Sequence, residues 1–172
     1  MRTYTFEVMD ANGEKASVAV DITTNEEVIT TPLDSTYTGA FFVNADGPNP
    51  DGGFDLSTGM AVSASSADAD LRDNGIDTNL PIAQNWIQKF RSVNGAILKV
   101  PASGFDFDMI DTKEGLLDAY NAATEVSETP NKVQIGDVYI VKANEVIYTM
   151  KITNVTVTTS DNADKYTFDV KY

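Results

Sequence analysis

The chain contains no cysteine and no histidine. It therefore has no disulfide bond, no thiolate nucleophile, no histidine general base and no zinc site of the Cys/His type. Long apolar runs are also missing, since stretches such as 138–141 are far shorter than the roughly 18 residues of a membrane-spanning helix. The sequence predicts a chain without a membrane span, whose chemistry depends on carboxylates, hydroxyls, amides and a few lysines.

Basic residues are scarce, with 12 Lys and Arg against 26 Asp and Glu in 172 residues, for a net charge of −14. Such a chain repels phosphate backbones, so we expect no nucleic-acid partner, and it favours cations and basic partners. It has no G-x-S-x-G elbow, no S-x-x-K pair and no phosphate-binding glycine loop. Pairs of carboxylates at glycosidase spacing arise by chance in so acidic a chain. We therefore predict that the chain is not an enzyme.

Alternation of apolar and polar residues predicts that most of the chain is β-strand. Residues 3–9 and 15–23 alternate on either side of the turn 10–13, which predicts a hairpin. Residues 44–53 and 66–79 are rich in turn-forming or acidic residues and are predicted to be loops. Further strands are predicted at 40–43, 54–56, 60–65, 97–100, 137–142, 146–157 and 165–172.

Two segments have the apolar spacing of helices. In 79–93, five apolar residues from Ala83 to Val93 share one helical face, and Lys113–Ala123 follows a potential capping box of Asp111 and Glu114. Together these patterns predict a mainly β fold, an antiparallel, sandwich-like sheet domain with two short helices. We expect residues 1–24 to form a separate hairpin and residues 25–172 to form the β-rich domain.

The acidic segment 68–77 is a candidate calcium site, because calcium prefers carboxylate and carbonyl oxygens in glycine-containing loops. The candidate ligands are Asp68, Asp70, Asp73 and Asp77. An EF-hand does not fit, since Arg72 would stand at a ligand position and Pro81 at that of the bidentate glutamate. The alternative is a solvated acidic loop without a metal. No other cofactor is expected.

Phe54 and Trp86 are candidate ligand-binding residues, because exposed aromatic rings can form a platform for a carbohydrate or another small ligand. Trp86 is the only tryptophan, and it lies on the apolar face of the predicted helix over 79–93. The alternative for both rings is packing in the hydrophobic core.

The first hairpin contains Tyr4, Phe6, Val8, Asp10 and Gly13 in the pattern Y-x-F-x-V-x-D-x-x-G. This pattern resembles the last hairpin of an immunoglobulin-like or PKD-type repeat. The resemblance implies that residues 1–24 are the end of an upstream immunoglobulin-like module.

The segments 53–59, 136–142 and 166–172 resemble the C-terminal regions of surface lipoproteins from Bacteroidetes-type bacteria, including haemophores of the HmuY-like kind. The resemblance implies a β-rich fold, an extracytoplasmic location at the bacterial outer membrane or cell surface, and ligand capture without catalysis. It also implies an export signal and a lipid anchor, which we expect to be absent from the sequence given. Haem capture in that family uses histidine ligands, and the soft donors here are Met9, Met60, Met109 and Met150.

The sequence thus favours a non-catalytic cell-surface binding or adhesion module, whose partner is a glycan, a small ligand or a host protein. The alternatives are a structural spacer or stalk of a surface lipoprotein and, third, haemophore-like ligand capture without histidine. A binding module is expected to have a concave aromatic or acidic patch formed by the loops at 44–59 and 66–79.

Overall fold

In the computed structural model, the described residues are 2–22 and 30–172, and their regular structure is mainly antiparallel β-strand. The strands are β1 (Arg2–Met9), β2 (Lys15–Ile22), β3 (Thr36–Val43), β4 (Gly53–Asp55), β5 (Met60–Val62), β6 (Leu71–Asp73), β7 (Phe90–Ser92), β8 (Ile97–Val100), β9 (Thr124–Val126), β10 (Val138–Ala143), β11 (Val146–Thr156) and β12 (Lys165–Lys171). The described residues also form helix α1 (Lys113–Ala122) and a 3-10 turn (Phe107–Met109). The predicted mainly β, sandwich-like fold is confirmed.

The first two strands form a hairpin of their own. Among the described residues, β1 and β2 pair only with each other, with Tyr4 opposite Val20. The Asp10 carboxylate accepts two backbone N–H bonds of the turn, at 2.9 Å each, and Gly13 adopts a φ of 86°, which favours glycine. The predicted hairpin is confirmed. The end of the predicted strand 15–23 and part of the expected boundary near residue 24 lie outside the described residues.

Two larger sheets form the body of the domain. The six-stranded sheet has the order β3-β12-β11-β10-β8-β9, and the four-stranded sheet has the order β5-β4-β6-β7. Aromatic rings from the two sheets meet between them: Phe42 of β3 lies 5.7 Å from Phe90 of β7, and Phe54 of β4 lies 4.9 Å from Phe168 of β12. Both pairs are edge-to-face, a favoured arrangement for aromatic side chains. The two sheets therefore share one core.

The C-terminal meander follows the predicted alternation. In β12, Tyr166, Phe168 and Val170 are fully buried, while the residues between them are partly exposed. Successive side chains of a strand point to opposite faces, so one face of β12 fills the core. Full burial of each such side chain contributes about 1.5–3 kcal/mol to the free energy of unfolding.

The prediction that 66–79 is a loop is wrong for the middle of the segment, which forms β6. In β6, Leu71 and Asp73 are buried on either side of the partly exposed Arg72. This is the alternation of a strand, but an aspartate at an inward position makes it look polar. Acidic composition therefore concealed a strand that lies between β4 and β7.

The helix predicted over 79–93 is also wrong. Trp86 instead forms an antiparallel bridge with Ile76, and Phe90 begins β7. Between them, Gln88 adopts a φ of 59°, in the left-handed region that a right-handed helix does not contain. Trp86 and Phe90 are four residues apart, a spacing that places two side chains on one side of a helix and equally on one side of an extended chain.

The helix predicted over Lys113–Ala123 is confirmed as α1, but its cap differs from the prediction. The Thr112 hydroxyl accepts the backbone N–H of Gly115 at 3.2 Å, so Thr112 is the N-cap. Glu114 is not part of a capping box with Asp111; it accepts hydrogen bonds from the N–H and the hydroxyl of Thr31, at 2.8 Å each. No helix within 2–22 or 30–172 is long and apolar enough to cross a membrane.

Candidate functional site

Asp73, at the end of β6, places a carboxylate in the core, where the residue is only 1% exposed. Its Oδ1 accepts the backbone N–H groups of Ala45 and Gly75, at 2.9 and 2.7 Å. Its Oδ2 accepts the indole N–H of Trp86 and the hydroxyl of Tyr166, both at 3.0 Å. These four hydrogen bonds offset the cost of removing the carboxylate from water.

Burial raises the pKa of Asp73 to about 6, although its hydrogen bonds to the neighbouring N–H and hydroxyl groups act in the opposite direction. Burial also raises the pKa of Tyr166, so its hydroxyl stays protonated and donates to Asp73. A carboxyl group with a raised pKa is a candidate acid or base when a substrate can reach it. Asp73 is closed off from solvent and its oxygens already accept four bonds, so its role is to hold Trp86 and Tyr166 in place.

Trp86 connects this buried cluster to the surface. Its ring lies 4.7 Å from that of Tyr166, and the residue is 4% exposed. The exposed edge lines a groove with a volume of about 380 Å³, which we call the Trp86 groove. The groove is lined by Leu80, Ile82, Ala83, Gln84, Trp86, Gln88, Lys132, Val157 and Thr158.

Three separate segments form the walls of the Trp86 groove, and each is fixed by hydrogen bonds. In the first wall, the N–H of Gln84 donates to the carbonyl of Pro81 at 2.8 Å. The second wall lies beside Val133, whose carbonyl accepts the side-chain amide of Gln88 at 2.8 Å and whose N–H donates to the Gln88 carbonyl at 2.9 Å. In the third wall, Thr158 donates its N–H and its hydroxyl to one oxygen of Asp164. The groove is therefore formed before any ligand binds.

The surface of the Trp86 groove combines apolar and polar groups. Leu80, Ile82 and Val157 are 46%, 45% and 53% exposed. Gln84, Gln88, Lys132 and Thr158 add amide, ammonium and hydroxyl groups. The ammonium of Lys132 forms no ion pair with any residue that the structure describes. A concave surface with a few hydrogen-bonding groups among apolar side chains is typical of small-ligand sites.

Two other grooves have a different chemistry. One, of about 520 Å³, lies along the outer edges of β3 and β5 and exposes Phe41 and Met60; we call it the edge groove. The other, of about 330 Å³, lies between α1 and β11 and is lined mainly by apolar side chains such as Leu117. At its rim, Lys113 is paired with Asp34 at 2.7 Å. The groove between α1 and β11 also draws polar side chains from separate segments, namely Asp34, Lys113, Glu145 and Tyr172, but Asp34 and Lys113 are already paired with each other.

The structure does not bring the four predicted calcium ligands together. Asp68 and Asp70 line a pocket of about 230 Å³ that also includes Asp55, and Asp70 accepts a backbone N–H bond at 2.8 Å. Burial raises the pKa of Asp70, as does the nearby charge of Asp55. Asp73 lies in the core beside Trp86, and Asp77 accepts hydrogen bonds within its own turn. In the part of the chain that the structure describes, no group of three or more acidic residues is arranged to hold a metal ion.

The two predicted aromatic candidates have different positions. Phe54 is 0% exposed and packs against Phe42 and Phe168, so its ring has no surface to offer a ligand and the prediction that it binds one is wrong. Trp86 lies in the core as well, yet its edge lines the groove named after it. Core packing and contact with a cavity are thus combined in one side chain.

The methionines do not form a common donor set. Met150 is buried in the core, whereas Met9, Met60 and Met109 are exposed on the hairpin, on β5 and on the 3-10 turn.

The polar residues of the Trp86 groove were not predicted. Gln84 and Gln88 fell within the predicted helix, and Lys132 and Thr158 belong to connecting segments. Only the fold brings these segments to one place, and no spacing in the sequence indicates it.

No family model, no curated protein and no solved structure matches this chain. A function is therefore inferred from the chemistry of the site itself.

Proposed function

We propose that this chain is a non-catalytic binding module that holds a short glycan in the Trp86 groove. The observation that carries the proposal is the pairing of exposed apolar residues, such as Ile82, with polar side chains from three separately fixed segments. A sugar ring has an apolar face and a rim of hydroxyl groups. Ile82 and Leu80 suit the face, while Gln84 and Lys132 suit the hydroxyls.

The fixed walls of the groove support a binding role. Trp86 is held by Asp73, and Gln88 is held by Val133, so neither side chain loses much freedom when a ligand arrives. Association is opposed by the ordering of side chains, at about 0.5–1.5 kcal/mol for each flexible one. A groove whose floor is already ordered avoids part of that cost.

The lining of the groove favours binding over catalysis. Among the described residues that line it, Lys132 is the titratable side chain and none carries a carboxylate. Glycoside hydrolysis generally requires two carboxyl groups on either side of the scissile bond. The buried carboxyl of Asp73, despite its raised pKa, lies below the surface and is engaged by the protein.

As part of the same proposal, the module acts outside the cytoplasm, at a bacterial cell surface. This location is supported by the resemblance of the segments 53–59, 136–142 and 166–172 to surface lipoproteins. A structural spacer, the alternative function, has no need of a preformed groove with mixed polar and apolar walls.

Trp86 provides the test, because it is the only tryptophan and its fluorescence reports on the groove. Neutral and acidic oligosaccharides are titrated at up to millimolar concentration, with tryptophan emission and amide chemical shifts as readouts. We expect a saturable change, with shifts confined to the groove. Gln84→Ala and Lys132→Ala should each weaken binding by about tenfold, the equivalent of roughly one hydrogen bond.

Met60→Ala, in the edge groove, is the matched control and should leave the affinity unchanged. If the shifts map to the edge groove, or if no oligosaccharide perturbs Trp86, the proposal is wrong and the spacer function gains support.

A further inference from the structure

One face of the N-terminal hairpin is apolar and uncovered. Paired residues of an antiparallel ladder point to the same side, so the pairs Tyr4–Val20, Phe6–Val18 and Val8–Ala16 share one face. The larger side chains of this face are 42–70% exposed. We call it the hairpin face, and it comprises Tyr4, Phe6, Val8, Ala16, Val18, Val20 and Ile22.

Most charged residues of the hairpin lie on its other side or in its turn. Glu7, Lys15 and Asp21 belong to the opposite side of the ladder, and Thr3 donates to Asp21 there at 2.7 Å. Between residues 3 and 22 the hairpin face bears no charged residue, and the one charged residue in its register is Arg2, opposite Ile22 at the open end of the ladder. This separation is the pattern of a sheet that is built to be covered on one side only.

We expect another surface to pack against this face. An isolated two-stranded hairpin is at best marginally stable in water, and a contiguous exposed apolar patch of several hundred square ångströms usually marks an interaction site. None of the described residues of β1 and β2, within 3–22, is buried by the rest of the domain.

We propose that the hairpin face is covered by the same face of a second copy of this chain, in a weak, concentration-dependent dimer. With about half of each side chain exposed, one hairpin face presents on the order of 500 Å² of apolar surface, so two copies bury roughly 1,000 Å². That area lies at the lower end for specific interfaces, which is why the dimer is weak.

The charge pattern permits a second copy at this face. The whole chain carries a net charge of −14, so most contacts between copies bring like charges together. Contact through the hairpin face keeps this repulsion low at the interface, because the acidic residues Glu7 and Asp21 lie on the opposite side of the ladder. A two-fold axis along the strands places the aromatic strand of one copy, with Tyr4 and Phe6, over the aliphatic strand of the other, at the usual spacing of about 10 Å between packed sheets.

Sedimentation equilibrium over a concentration series up to the millimolar range tests the proposal. The chain has a mass of 18.6 kDa, and we expect the weight-average mass to rise toward twice that value. The pair of changes Phe6→Lys and Val18→Lys should abolish the rise. The matched control is Thr5→Lys with Ala19→Lys, an adjacent cross-strand pair on the other side of the same ladder, which adds the same charge and should leave the rise intact.

Hydrogen exchange of the unmodified chain distinguishes a second copy on the hairpin face from another part of the same chain. A second copy makes the protection of amides 2–22 increase with protein concentration. Protection that is independent of concentration means that the same chain covers the face, and it overturns the proposal. A mass that stays at 18.6 kDa throughout, or an equal loss of association in both lysine pairs, also overturns it.

Discussion

Replacing Asp73 by asparagine removes a buried charge while keeping the shape of the side chain. The pKa of Asp73 is raised from 3.8 to about 6 by burial, so the folded state holds this proton more tightly than the unfolded state does. The resulting stabilisation is fully present at pH values below the pKa of the unfolded state, and it is lost as the pH rises through the pKa of the folded state. As the pH rises between these two pKa values, the unmodified protein should therefore lose free energy of unfolding that Asp73→Asn does not lose.

The size of the effect follows from the difference between the two pKa values. Each unit corresponds to 1.36 kcal/mol, so a shift from 3.8 to about 6 amounts to about 3 kcal/mol in total. About 2 kcal/mol of this falls between about pH 4.5 and about pH 7.5, because part of the unfolded-state titration lies below that range. The free energy of unfolding of the unmodified protein, minus that of Asp73→Asn, should fall by that amount over the range.

Urea unfolding followed by the emission of Trp86, at several values of pH, measures this difference directly. Taking the difference cancels the pH dependence that comes from the other carboxyl groups, including Asp55. Burial raises the pKa of Asp55, but the hydrogen bonds from Ser57 and Thr58 lower it by more. The control is Asp68→Asn, an exposed position with the same change of charge. If the difference stays constant or grows with pH, the four hydrogen bonds outweigh burial and the reasoning about Asp73 is refuted.

Two further outcomes are expected. Phe54→Ala should lower the free energy of unfolding by about 3–5 kcal/mol, because it leaves a cavity between the sheets. Phe41→Ala, at a position that is 44% exposed, should lower it by about 1 kcal/mol or less. Equal losses in urea unfolding would contradict the assigned core. Thermal melting with calcium and with chelator, at matched ionic strength, should give equal midpoints, because the predicted acidic ligands lie apart. A calcium-dependent shift that Asp70→Ala abolishes would contradict this and support the calcium hypothesis.

The strands could be predicted from the sequence where alternation is regular and the turns are typical. The hairpin around Asp10 and Gly13 and the meander that ends with β12 are such cases, because a period of two fixes both the strand and its buried face. Helix α1 was predicted because its apolar residues follow a helical spacing, although the predicted capping box of Asp111 and Glu114 is not the cap that forms.

The centre of the chain could not be predicted, because tertiary contacts decide its structure. Asp73 occupies an inward position in β6 only because donors from Ala45, Trp86 and Tyr166 surround it, and these lie 28, 13 and 93 residues away. The left-handed conformation of Gln88 has no signal in the sequence either. The Trp86 groove depends on both features, so its polar residues were beyond prediction, although Trp86 itself was a candidate.

The order of strands in the larger sheet has a consequence for how the chain folds as it is synthesised. β3 pairs with β12, and Lys165 lies opposite Val43, 122 residues earlier. β3 has no other neighbour in that sheet, so its ladder cannot form until β12 has left the ribosome. Pairing between such distant segments is slow, because the entropy of closing a long loop is lost before any contact compensates for it. In the meantime the ring of Phe42 lacks the covering side chains of β12. Apolar surface exposed in this way during folding generally promotes aggregation and chaperone binding.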